Sequence, residues 1–303
     1  MNRLLDATAT ARRLPYLGLA QQIPQLLGDP SVRVPERLVQ PLPGGASLFV
    51  MPASDAQIAI AKLITFTPGN AGSGRPAIQG DVIVFDAATG ERALILDGPT
   101  VTARRTAAVS LLAAQCLAPN RHGPLLVVGA GAQGRAHLEA FAQGLPLREA
   151  VIVSRSAASA QALAGHARLL GLKASVAEDA DAALADCPLV VTCTPASGVV
   201  LRALPRPDAF IVAVGAFTPE MVELGAELCR HVARHGRVVV DTPAARHEAG
   251  DLLQAGLDVA AFASLREVLV PAAQPAVGPV LFKSCGWAGW DLAAARLAMA
   301  RPG

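Results

Sequence analysis

The fold of this chain is decided by the stretch Leu125–Leu126–Val127–Val128–Gly129–Ala130–Gly131–Ala132–Gln133–Gly134. Its four apolar residues predict a short buried strand, and the glycine-rich sextet that follows opens a stretch of helical character. In that context Gly129 allows a tight turn, Gly131 lets the backbone approach a pyrophosphate, and Gly134 permits close packing of helix on strand. The start of the helix also presents unpaired N–H groups to an anion. The pattern predicts a dinucleotide-binding turn rather than an ordinary glycine-rich connection.

Strands and helices alternate after this stretch. The predicted helices Gln133–Ala142 and Ala157–Leu170 lie between apolar runs that are short enough to be buried strands. Such alternation predicts an α/β fold with a Rossmann-type, doubly wound parallel sheet. The other predicted strands are Ala150–Val153, Ala174–Val176, Leu189–Cys193, Phe210–Val214 and Val238–Val240.

The chain before Pro119–Pro124 has a different pattern. Its apolar runs predict largely antiparallel strands, and the connection at Asp86–Glu91 predicts a hairpin. A helix is predicted over Thr100–Ala118, and the closing stretch Gly286–Ala300 is also predicted to be helical. The predicted strands of this part are Ala46–Pro52, Ala59–Phe66, Val82–Phe85 and Arg92–Leu96.

The end of the second predicted parallel strand indicates which dinucleotide is bound. An NAD enzyme usually has Asp or Glu about 20 residues after the glycine loop, where it bonds the ribose 2′-hydroxyl. Here Ala150–Val153 is followed by Ser154–Arg155–Ser156, without an acid. A carboxylate would repel a 2′-phosphate, whereas Arg155 offers charge-assisted hydrogen bonds and the serines add hydroxyl donors. The sequence therefore predicts NADPH as the cofactor, in preference to NADH.

Basic residues stand at two places where charge is costly. Lys62 is the only charged residue between Gln57 and Pro68, and strand alternation places it on an apolar face. Its side chain either reaches water at an edge or binds an anion, and the sequence leaves these alternatives equal. Arg104 and Arg105 lie one turn into the predicted helix, where their directions differ by about 100°, so at most one faces a site. Taken alone, an arginine that extends to water is the simpler interpretation there.

The composition excludes several classes of function. The net charge is +2, and no basic run indicates a nucleic-acid-binding surface. Apolar stretches such as Ala107–Pro119 are too short to span a bilayer, and Met1–Arg13 lacks the character of a signal peptide. Five scattered cysteines predict reduced thiols in a cytoplasmic protein. His231 and His235 have i,i+4 spacing but lack a further ligand, so no metal site is predicted.

Several stretches together resemble the ornithine cyclodeaminase/mu-crystallin family. The resemblance covers nearly the whole chain, and its most specific part is the Thr–Ala–x–Arg–Thr–Ala–Ala run ahead of the glycine loop. The stretches that carry it are Val50–Met51–Pro52–Ala53, Lys62–Leu63–Ile64–Thr65–Phe66, Thr102–Ala103–Arg104–Arg105–Thr106–Ala107–Ala108, the Gly129–Gly134 loop, and Phe282–Lys283–Ser284 before a closing helix that contains Asp291.

This resemblance implies a two-domain subunit that forms a homodimer. Residues 1–119 plus 286–303 would form a mixed α+β domain for substrate binding and dimerisation, and residues 120–285 the Rossmann NADP-binding domain. It also implies that Arg37, Lys62 and Arg105 bind the carboxylate of the substrate. The implication favours a functional interpretation of these three residues over simple exposure to water.

One position distinguishes the chemistries within the family. Cyclodeaminases carry an aspartate shortly before a proline after the fifth strand, and the matching residue here is Phe217 in Gly215–Ala216–Phe217–Thr218–Pro219. Phenylalanine can neither accept a proton nor orient an amine. The stretch is similar instead to that of bacterial reductases of the cyclic ketimines Δ1-pyrroline-2-carboxylate and Δ1-piperideine-2-carboxylate. The alternatives are an NADP-linked amino-acid dehydrogenase, then a cyclodeaminase or a mu-crystallin-like binding protein without catalysis.

The resemblance therefore implies an enzyme that reduces the C=N bond of a cyclic imino acid to give proline or pipecolate. Arg37 and Arg105 would hold the carboxylate, and Lys62 would contact it or protonate the ring nitrogen. The nicotinamide is expected beside the carboxyl ends of the fourth and fifth parallel strands. The residues expected there are Thr194, Pro195, Phe217 and Thr218.

Overall fold

A computed structural model of the protein describes residues 3–70, 73–195, 197–269 and 278–300. The strands of these residues are β1 (Arg3–Leu5), β2 (Leu38–Pro41), β3 (Ser47–Ser54), β4 (Ile58–Phe66), β5 (Ile78–Asp86), β6 (Arg92–Asp97), β7 (Leu125–Val128), β8 (Glu149–Val153), β9 (Lys173–Val176), β10 (Leu189–Thr192), β11 (Ser197–Leu201), β12 (Phe210–Ala213), β13 (Val222–Leu224), β14 (Arg237–Val240), β15 (Ala263–Ser264) and β16 (Val280–Lys283).

The helices of the same residues are α1 (Ala7–Arg13), α2 (Tyr16–Gly28), α3 (Gly98–Leu117), α4 (Ala132–Gly144), α5 (Ala157–Leu169), α6 (Ala180–Leu184), α7 (Ala226–His235), α8 (Gly250–Gln254), α9 (Leu265–Leu269) and α10 (Ala288–Ala300). Short 3-10 turns lie at Pro43–Gly45, Pro68–Asn70, Pro243–His247 and Val259–Ala261.

The chain forms two compact units. Unit 1 consists of Met1–Arg105 with Trp287–Gly303, and unit 2 consists of Thr106–Gly286. The division falls inside α3, a helix that the sequence analysis assigned whole to the first domain. The second half of α3 packs within unit 2, where Ser110 Oγ lies 2.9 Å from Nε2 of His137 on α4.

Unit 1 is built on a six-stranded sheet with the order β1-β6-β5-β4-β3-β2. All neighbouring strands are antiparallel except β1 and β6. The predicted strands β3 and β4 are confirmed, and the predicted hairpin is confirmed as β5 and β6, although β5 begins earlier than predicted, at Ile78. Residues of β4 alternate as predicted, with Ile58, Ile60, Lys62 and Ile64 buried. This alternation directs the Lys62 side chain into the interior of unit 1.

Unit 2 is built on an eight-stranded sheet with the order β15-β14-β16-β12-β10-β7-β8-β9. Every pair of neighbours in it is parallel. The strands β7, β10, β12 and β16 are buried along their whole length, which explains their uniformly apolar sequences. The predicted Rossmann-type parallel sheet is confirmed. Strand order reverses between β7 and β10, and ligands of such sheets bind outside the carboxyl ends of the strands at this point.

Three further properties concern the classes of function considered from the composition. No disulfide bond joins any of the five cysteines, which are Cys116, Cys187, Cys193, Cys229 and Cys285, all within the described residues. Within the described ranges, no helix is both long enough and apolar enough to cross a bilayer. His231 and His235 lie on α7 with ring centroids 4.8 Å apart, and the described residues hold no group of three or more potential metal ligands.

Candidate functional site

The glycine loop joins β7 to α4 as the sequence predicts. Gly129 has a φ of +116°, a backbone conformation that residues with a side chain rarely adopt. Its N–H donates to the Val153 carbonyl oxygen at 2.8 Å. A Cβ added to Gly134 would lie 1.9 Å from the Gly129 carbonyl oxygen. Both glycines are therefore required by the backbone: Gly129 for the turn, and Gly134 for the contact of helix with loop.

Gly131 plays a different part in the same loop. It is the N-cap of α4, and no side chain caps this helix. A Cβ added there would meet no atom within 4 Å, so the space beside this backbone is open. A helix start with uncapped N–H groups and open space suits the approach of a phosphate. These residues fit a dinucleotide.

A buried histidine forms hydrogen bonds at the first turn of α4. His137 is 0% exposed, and its Nδ1 lies 2.8 Å from the Gln133 carbonyl oxygen. Burial lowers the pKa of His137 to about 4, so the ring is neutral at pH 7. With Nδ1 donating to Gln133, Nε2 accepts the hydrogen of the Ser110 hydroxyl group. The sequence analysis did not single out this residue, since a lone histidine on a helix carries no local pattern.

The residues predicted to select the cofactor follow β8 directly. Ser156 caps α5 by accepting the Ser159 N–H at 3.2 Å, and Ser154 Oγ accepts the Ser156 N–H at 3.4 Å. Arg155 is exposed and makes no hydrogen bond or ion pair with any other residue that the structure describes. The side chain of Arg155 is thus available to a ligand.

The four residues predicted to lie near the nicotinamide follow β10 and β12, which are adjacent in the sheet. Thr194 is half-buried, and its N–H and hydroxyl group both donate to Glu223 Oε1, at 2.6 and 2.9 Å. Pro195 is exposed and Thr218 is half-buried. Phe217 is half-buried and packs against the hydrophobic core of unit 2. All four lie beyond the carboxyl ends of their strands, where the sequence analysis expected them.

Three buried charged residues lie behind these strand ends. Glu223 on β13, Asp251 on α8 and Lys283 on β16 are each at most 1% exposed. Lys283 Nζ lies 2.9 Å from Asp251 Oδ2, and the Glu223 N–H donates to Asp251 Oδ1 at 2.6 Å. Burial alone would lower the pKa of Lys283, but the neighbouring Asp251, Cys285 and Glu223 raise it above its usual value. Sequence reasoning quoted Lys283 only as part of a resemblance, and missed Glu223 and Asp251.

Unit 1 contains a second cluster, made of the basic residues that the sequence analysis selected. Lys62 on β4 and Arg105 on α3 are 1% and 6% exposed. Lys62 Nζ and Arg105 Nε both lie 3.1 Å from Asp291 Oδ1 on α10. Two buried cations thus share one carboxylate oxygen. The other oxygen, Asp291 Oδ2, is buried and has no hydrogen-bond partner in the described part of the chain.

The surroundings of Lys62 bring the pKa of its ammonium group closer to neutral pH. Burial lowers the pKa of Lys62 to about 8, opposed by the charge of Asp291 and assisted by the charges of Arg105 and Arg37. Arg37 is half-buried, and its Cζ lies 5.9 Å from the centre of the Phe49 ring. The structure therefore brings all three predicted basic residues into one electrostatic environment.

The neighbouring arginine lies elsewhere. Arg104 Cζ is 3.9 Å from the centre of the Tyr16 ring, and Arg104 Nε donates to the Leu14 carbonyl oxygen at 2.7 Å. Arg104 and Arg105 thus make different contacts, as expected of adjacent residues that point about 100° apart on a helix. The acidic partner Asp291 was quoted in the sequence analysis only as a residue of the closing helix.

Comparison with known proteins agrees with these features. The chain is 42% identical over 298 residues to Delta(1)-pyrroline-2-carboxylate reductase 2 of Burkholderia ambifaria, which covers 97% of this chain and 94% of that protein. It is 41% identical over 299 residues to a Delta(1)-pyrroline-2-carboxylate/Delta(1)-piperideine-2-carboxylate reductase of Azospirillum brasilense, with the same coverage. Both relatives are reductases, in agreement with the predicted class of enzyme.

The fold is shared with a solved structure. Delta(1)-pyrroline-2-carboxylate reductase of Thermococcus litoralis, in complex with NADH and L-proline, superposes with a TM-score of 0.85 at 23% sequence identity. The superposition covers 98% of this chain and 94% of that one.

The sequence profile of the ornithine cyclodeaminase/mu-crystallin family matches residues 30–301, which is most of the chain. That match, together with the two relatives above 40% identity, confirms the resemblance found in the sequence. The chain belongs to the ornithine cyclodeaminase/mu-crystallin family.

Proposed function

We propose that this protein is an NADPH-dependent reductase of cyclic imino acids, which converts Δ1-pyrroline-2-carboxylate to proline and Δ1-piperideine-2-carboxylate to pipecolate. The observation that carries the proposal is the sharing of one Asp291 oxygen by the buried cations Lys62 and Arg105. The relative from Burkholderia is a reductase of Δ1-pyrroline-2-carboxylate, and that from Azospirillum is a reductase of both compounds, which supports the proposed substrates.

The buried cluster favours a substrate that carries a carboxylate. Burying a charge is costly unless an opposite charge compensates it. Lys62 and Arg105 together carry two positive charges, and the carboxylate of Asp291 compensates one. A substrate carboxylate supplies the second negative charge, and the planar fork of an arginine can hold it through two parallel hydrogen bonds. We assign this binding to Arg105 and Arg37.

Lys62 is assigned the proton transfer. Reduction adds a hydride to C2 and a proton to the ring nitrogen, so that the C=N bond becomes a CH–NH bond. A general acid works best when its pKa lies near the working pH, and burial lowers that of Lys62 to about 8. The partnerless Asp291 Oδ2 offers an acceptor for the N–H of the reduced ring.

Unit 2 is assigned the binding of NADPH, and the cofactor supplies the hydride. The N–H groups around Gly131 would hold the pyrophosphate, in the space that the missing Cβ leaves open. Arg155, with the hydroxyl groups of Ser154 and Ser156, would bind the 2′-phosphate. The strand ends at Thr194, Pro195, Phe217 and Thr218 would support the nicotinamide.

Replacing Arg155 tests the choice of NADPH over NADH. Arg155→Ala is expected to raise the KM for NADPH by about tenfold or more, because a charge-assisted hydrogen bond contributes roughly 1.5–3 kcal/mol. The KM for NADH should change little, since NADH has no 2′-phosphate. Steady-state kinetics with both cofactors measure the two effects.

The control for this variant is Arg168→Ala. Arg168 is also an exposed arginine, and its side chain donates to the Ala174 carbonyl oxygen on β9. The Arg168→Ala variant should therefore have the wild-type KM values for both NADPH and NADH. Equal changes of the two KM values in Arg155→Ala would contradict the assignment of the 2′-phosphate site.

A screen of imines tests the proposed substrate class. NADPH oxidation should be fast with Δ1-pyrroline-2-carboxylate and Δ1-piperideine-2-carboxylate, and slow with pyruvate plus ammonia or methylamine. The reverse order would identify an amino-acid dehydrogenase acting on open-chain 2-oxo acids. NADPH binding without oxidation across the panel would indicate a binding protein. Formation of proline and ammonia from ornithine without added reductant would identify a cyclodeaminase, a reaction for which Phe217 supplies no acid or base.

We further propose that the protein is a homodimer formed through unit 1. The face of its sheet opposite Lys62 is largely apolar and mostly half-buried, and an accessible apolar surface of this kind marks an interface. Cross-strand pairing places its members side by side. We call this the outer face. Its polar members include Thr65 and Asp81, and its apolar members include Leu48, Val50, Pro52, Ala61, Leu63, Ile83, Phe85 and Ile95.

A charge on the outer face should dissociate the dimer. The wild-type protein is expected at twice the 31.0 kDa of one chain in light scattering, and Leu63→Glu at a lower mass. Leu63 is 37% exposed, so the new carboxylate is tolerated in the single chain but would be buried without a partner in the dimer. The control Leu169→Glu changes a leucine of unit 2 that is 87% exposed, and should remain dimeric. A wild-type mass of one chain would exclude the proposed dimer.

A further inference from the structure

One buried carboxylate joins the ends of two neighbouring strands in unit 2. Glu223 Oε1 accepts the N–H and the hydroxyl group of Thr194, at 2.6 and 2.9 Å. Glu223 Oε2 accepts the Thr192 hydroxyl group at 3.0 Å and the Gly215 N–H at 2.7 Å. Thr192 ends β10, and Gly215 lies just beyond the end of β12. The carboxylate thereby fixes the distance between two backbone segments that follow different strands.

The two segments are in direct contact around this carboxylate. A Cβ added to Gly215 would lie 2.3 Å from the Thr194 carbonyl oxygen and 2.5 Å from Glu223 Oε1. Neither contact has room for a side chain, so position 215 requires glycine. The two strand ends thus pack directly against each other, and the Glu223 carboxylate joins them by hydrogen bonds.

A second charged group holds the same segment from another strand. Lys283 Nζ on β16 donates to the Ala216 carbonyl oxygen at 2.6 Å. Asp251 lies 2.9 Å from this ammonium group and accepts the Glu223 N–H. The chain from Gly215 to Ala216 is therefore fastened by Glu223 through an N–H and by Lys283 through a carbonyl oxygen.

This arrangement has a cost in stability. Burial raises the pKa of Glu223, although Lys283 and the hydrogen bonds from Thr194 oppose the shift. Two buried carboxylates face one ammonium group, and replacing such buried ions by apolar residues of similar volume is often neutral or stabilising. These three charged residues therefore contribute more by fixing the positions of the strand ends than by stabilising the fold.

We infer that Glu223 is a positioning residue for the nicotinamide half of the cofactor, acting through Thr194 and the segment from Gly215 to Thr218. The inference rests on the proposed binding of NADPH by unit 2. The glycine loop and Arg155 serve the phosphates in that proposal, and none of these residues forms a described hydrogen bond with Glu223. The segment that Glu223 holds meets the loop at Cys193, whose thiol donates to the Gly129 carbonyl oxygen at 3.3 Å. The N–H groups proposed to hold the pyrophosphate belong instead to the start of α4, so loss of Glu223 should weaken binding of the nicotinamide more than binding of the phosphates.

The test compares two ligands in Glu223→Gln by isothermal titration calorimetry. NADPH contains the nicotinamide, and 2′-phospho-ADP-ribose retains the phosphates but lacks it. Glutamine has the same shape, but its NH₂ group would face one of the donors now bound by the carboxylate. The Kd for NADPH is expected to rise about tenfold or more, and the Kd for 2′-phospho-ADP-ribose to stay within about twofold. Equal weakening of both ligands would overturn the inference.

Two further variants keep the test decisive. Asp241→Asn changes another buried carboxylate of unit 2, which accepts hydrogen bonds from Thr242, Ser284, Cys285 and Gly286. It should alter the melting temperature without changing the ratio of the two Kd values. Thr192→Val removes a single hydrogen bond to Glu223 and should raise the Kd for NADPH selectively, but by less than Glu223→Gln. It provides the test if Glu223→Gln does not fold. Unchanged binding of both ligands in a folded Glu223→Gln would also overturn the inference.

The experiment distinguishes a failure of the proposed NADPH binding from a failure of the role of Glu223. A wild-type protein that binds neither ligand would remove the NADPH assignment itself. A wild-type protein that binds both ligands, with variants that weaken both equally, would remove only the role of Glu223.

Discussion

Lys62→Met is expected to reduce kcat for imine reduction by about 10²- to 10⁴-fold, the usual contribution of a positioned general acid. Methionine has nearly the length of lysine but has no proton to donate and no charge. Lys62 is 1% exposed, and burial of its charge is unfavourable, so an apolar side chain should be accommodated without loss of folding. The Kd for NADPH should be unchanged, because the proposed cofactor residues belong to unit 2. Stopped-flow and steady-state assays with Δ1-piperideine-2-carboxylate measure the effect.

The matched control is Lys173→Met. Lys173 begins β9 and is exposed, at the opposite end of the parallel strands from their carboxyl termini. Its replacement should leave kcat and the Kd for NADPH at wild-type values. A Lys62→Met variant that retained most of its kcat would remove Lys62 from the mechanism.

The pH dependence of the reaction gives a second measurement on the same residue. The protonated fraction of Lys62 falls as the pH rises through about 8, so kcat/KM for reduction should fall above that pH. The charge of Asp291 raises the pKa of Lys62, and Asp291→Asn should therefore shift this fall to lower pH. The titration of the substrate itself is common to both proteins, so the difference between the profiles reports on the enzyme. Identical profiles would show that the titrating group is not Lys62.

Gly131→Ala is expected to raise the Kd for NADPH by roughly ten- to hundred-fold, the equivalent of one or two hydrogen bonds to a charged group. The φ of Gly131 is −86°, which alanine also adopts, and the new Cβ would contact no atom within 4 Å. The melting temperature of the protein without cofactor should therefore fall only slightly, because alanine is a poorer N-cap than glycine but meets no steric clash here. The methyl group would instead occupy the space proposed for the pyrophosphate. Calorimetric titration and thermal unfolding measure the two quantities.

Variants of two other glycines provide comparisons for Gly131→Ala. Gly165 lies within α5 and also has open space around it, so Gly165→Ala should leave the Kd unchanged and raise the melting temperature slightly, because alanine favours a helix interior more than glycine does. Gly134→Ala should lower the melting temperature as well, since its Cβ would lie 1.9 Å from a carbonyl oxygen. Wild-type affinity for NADPH in Gly131→Ala would place the pyrophosphate elsewhere.

The parts of the fold that sequence could predict are those governed by local patterns. The glycine loop carries its own conformational requirements, and β7 ends where the apolar run Leu125–Val128 ends. The alternation along β4 was sufficient to direct Lys62 to the inside. By contrast, β2 is exposed along its whole length and shows no alternation, and α2 contains Pro24, a residue that argues against a helix interior. These elements are held by tertiary contacts rather than by their own sequence.

The chemistry of the site divides in the same way. Lys62 and Arg105 drew attention because charge is rare in their apolar surroundings. Their shared partner Asp291 lies 229 positions after Lys62, and only the fold brings the two together. Glu223 lies between Val222 and Leu224 in a strand of three residues, which is too short for a periodic pattern to mark its carboxylate as buried. An acidic residue acquires significance from the donors that surround it, and these come from distant parts of the chain.

The central claim is that NADPH delivers its hydride to C2 of a cyclic imino acid bound through its carboxylate. The direct test uses NADPH deuterated at C4 on one face or the other, with Δ1-pyrroline-2-carboxylate as the acceptor and mass spectrometry of the product. We expect proline with one deuterium at C2 from one of the two cofactors, and unlabelled proline from the other. Proline without deuterium from both cofactors, or NADPH that remains unoxidised in the presence of the imine, would contradict it.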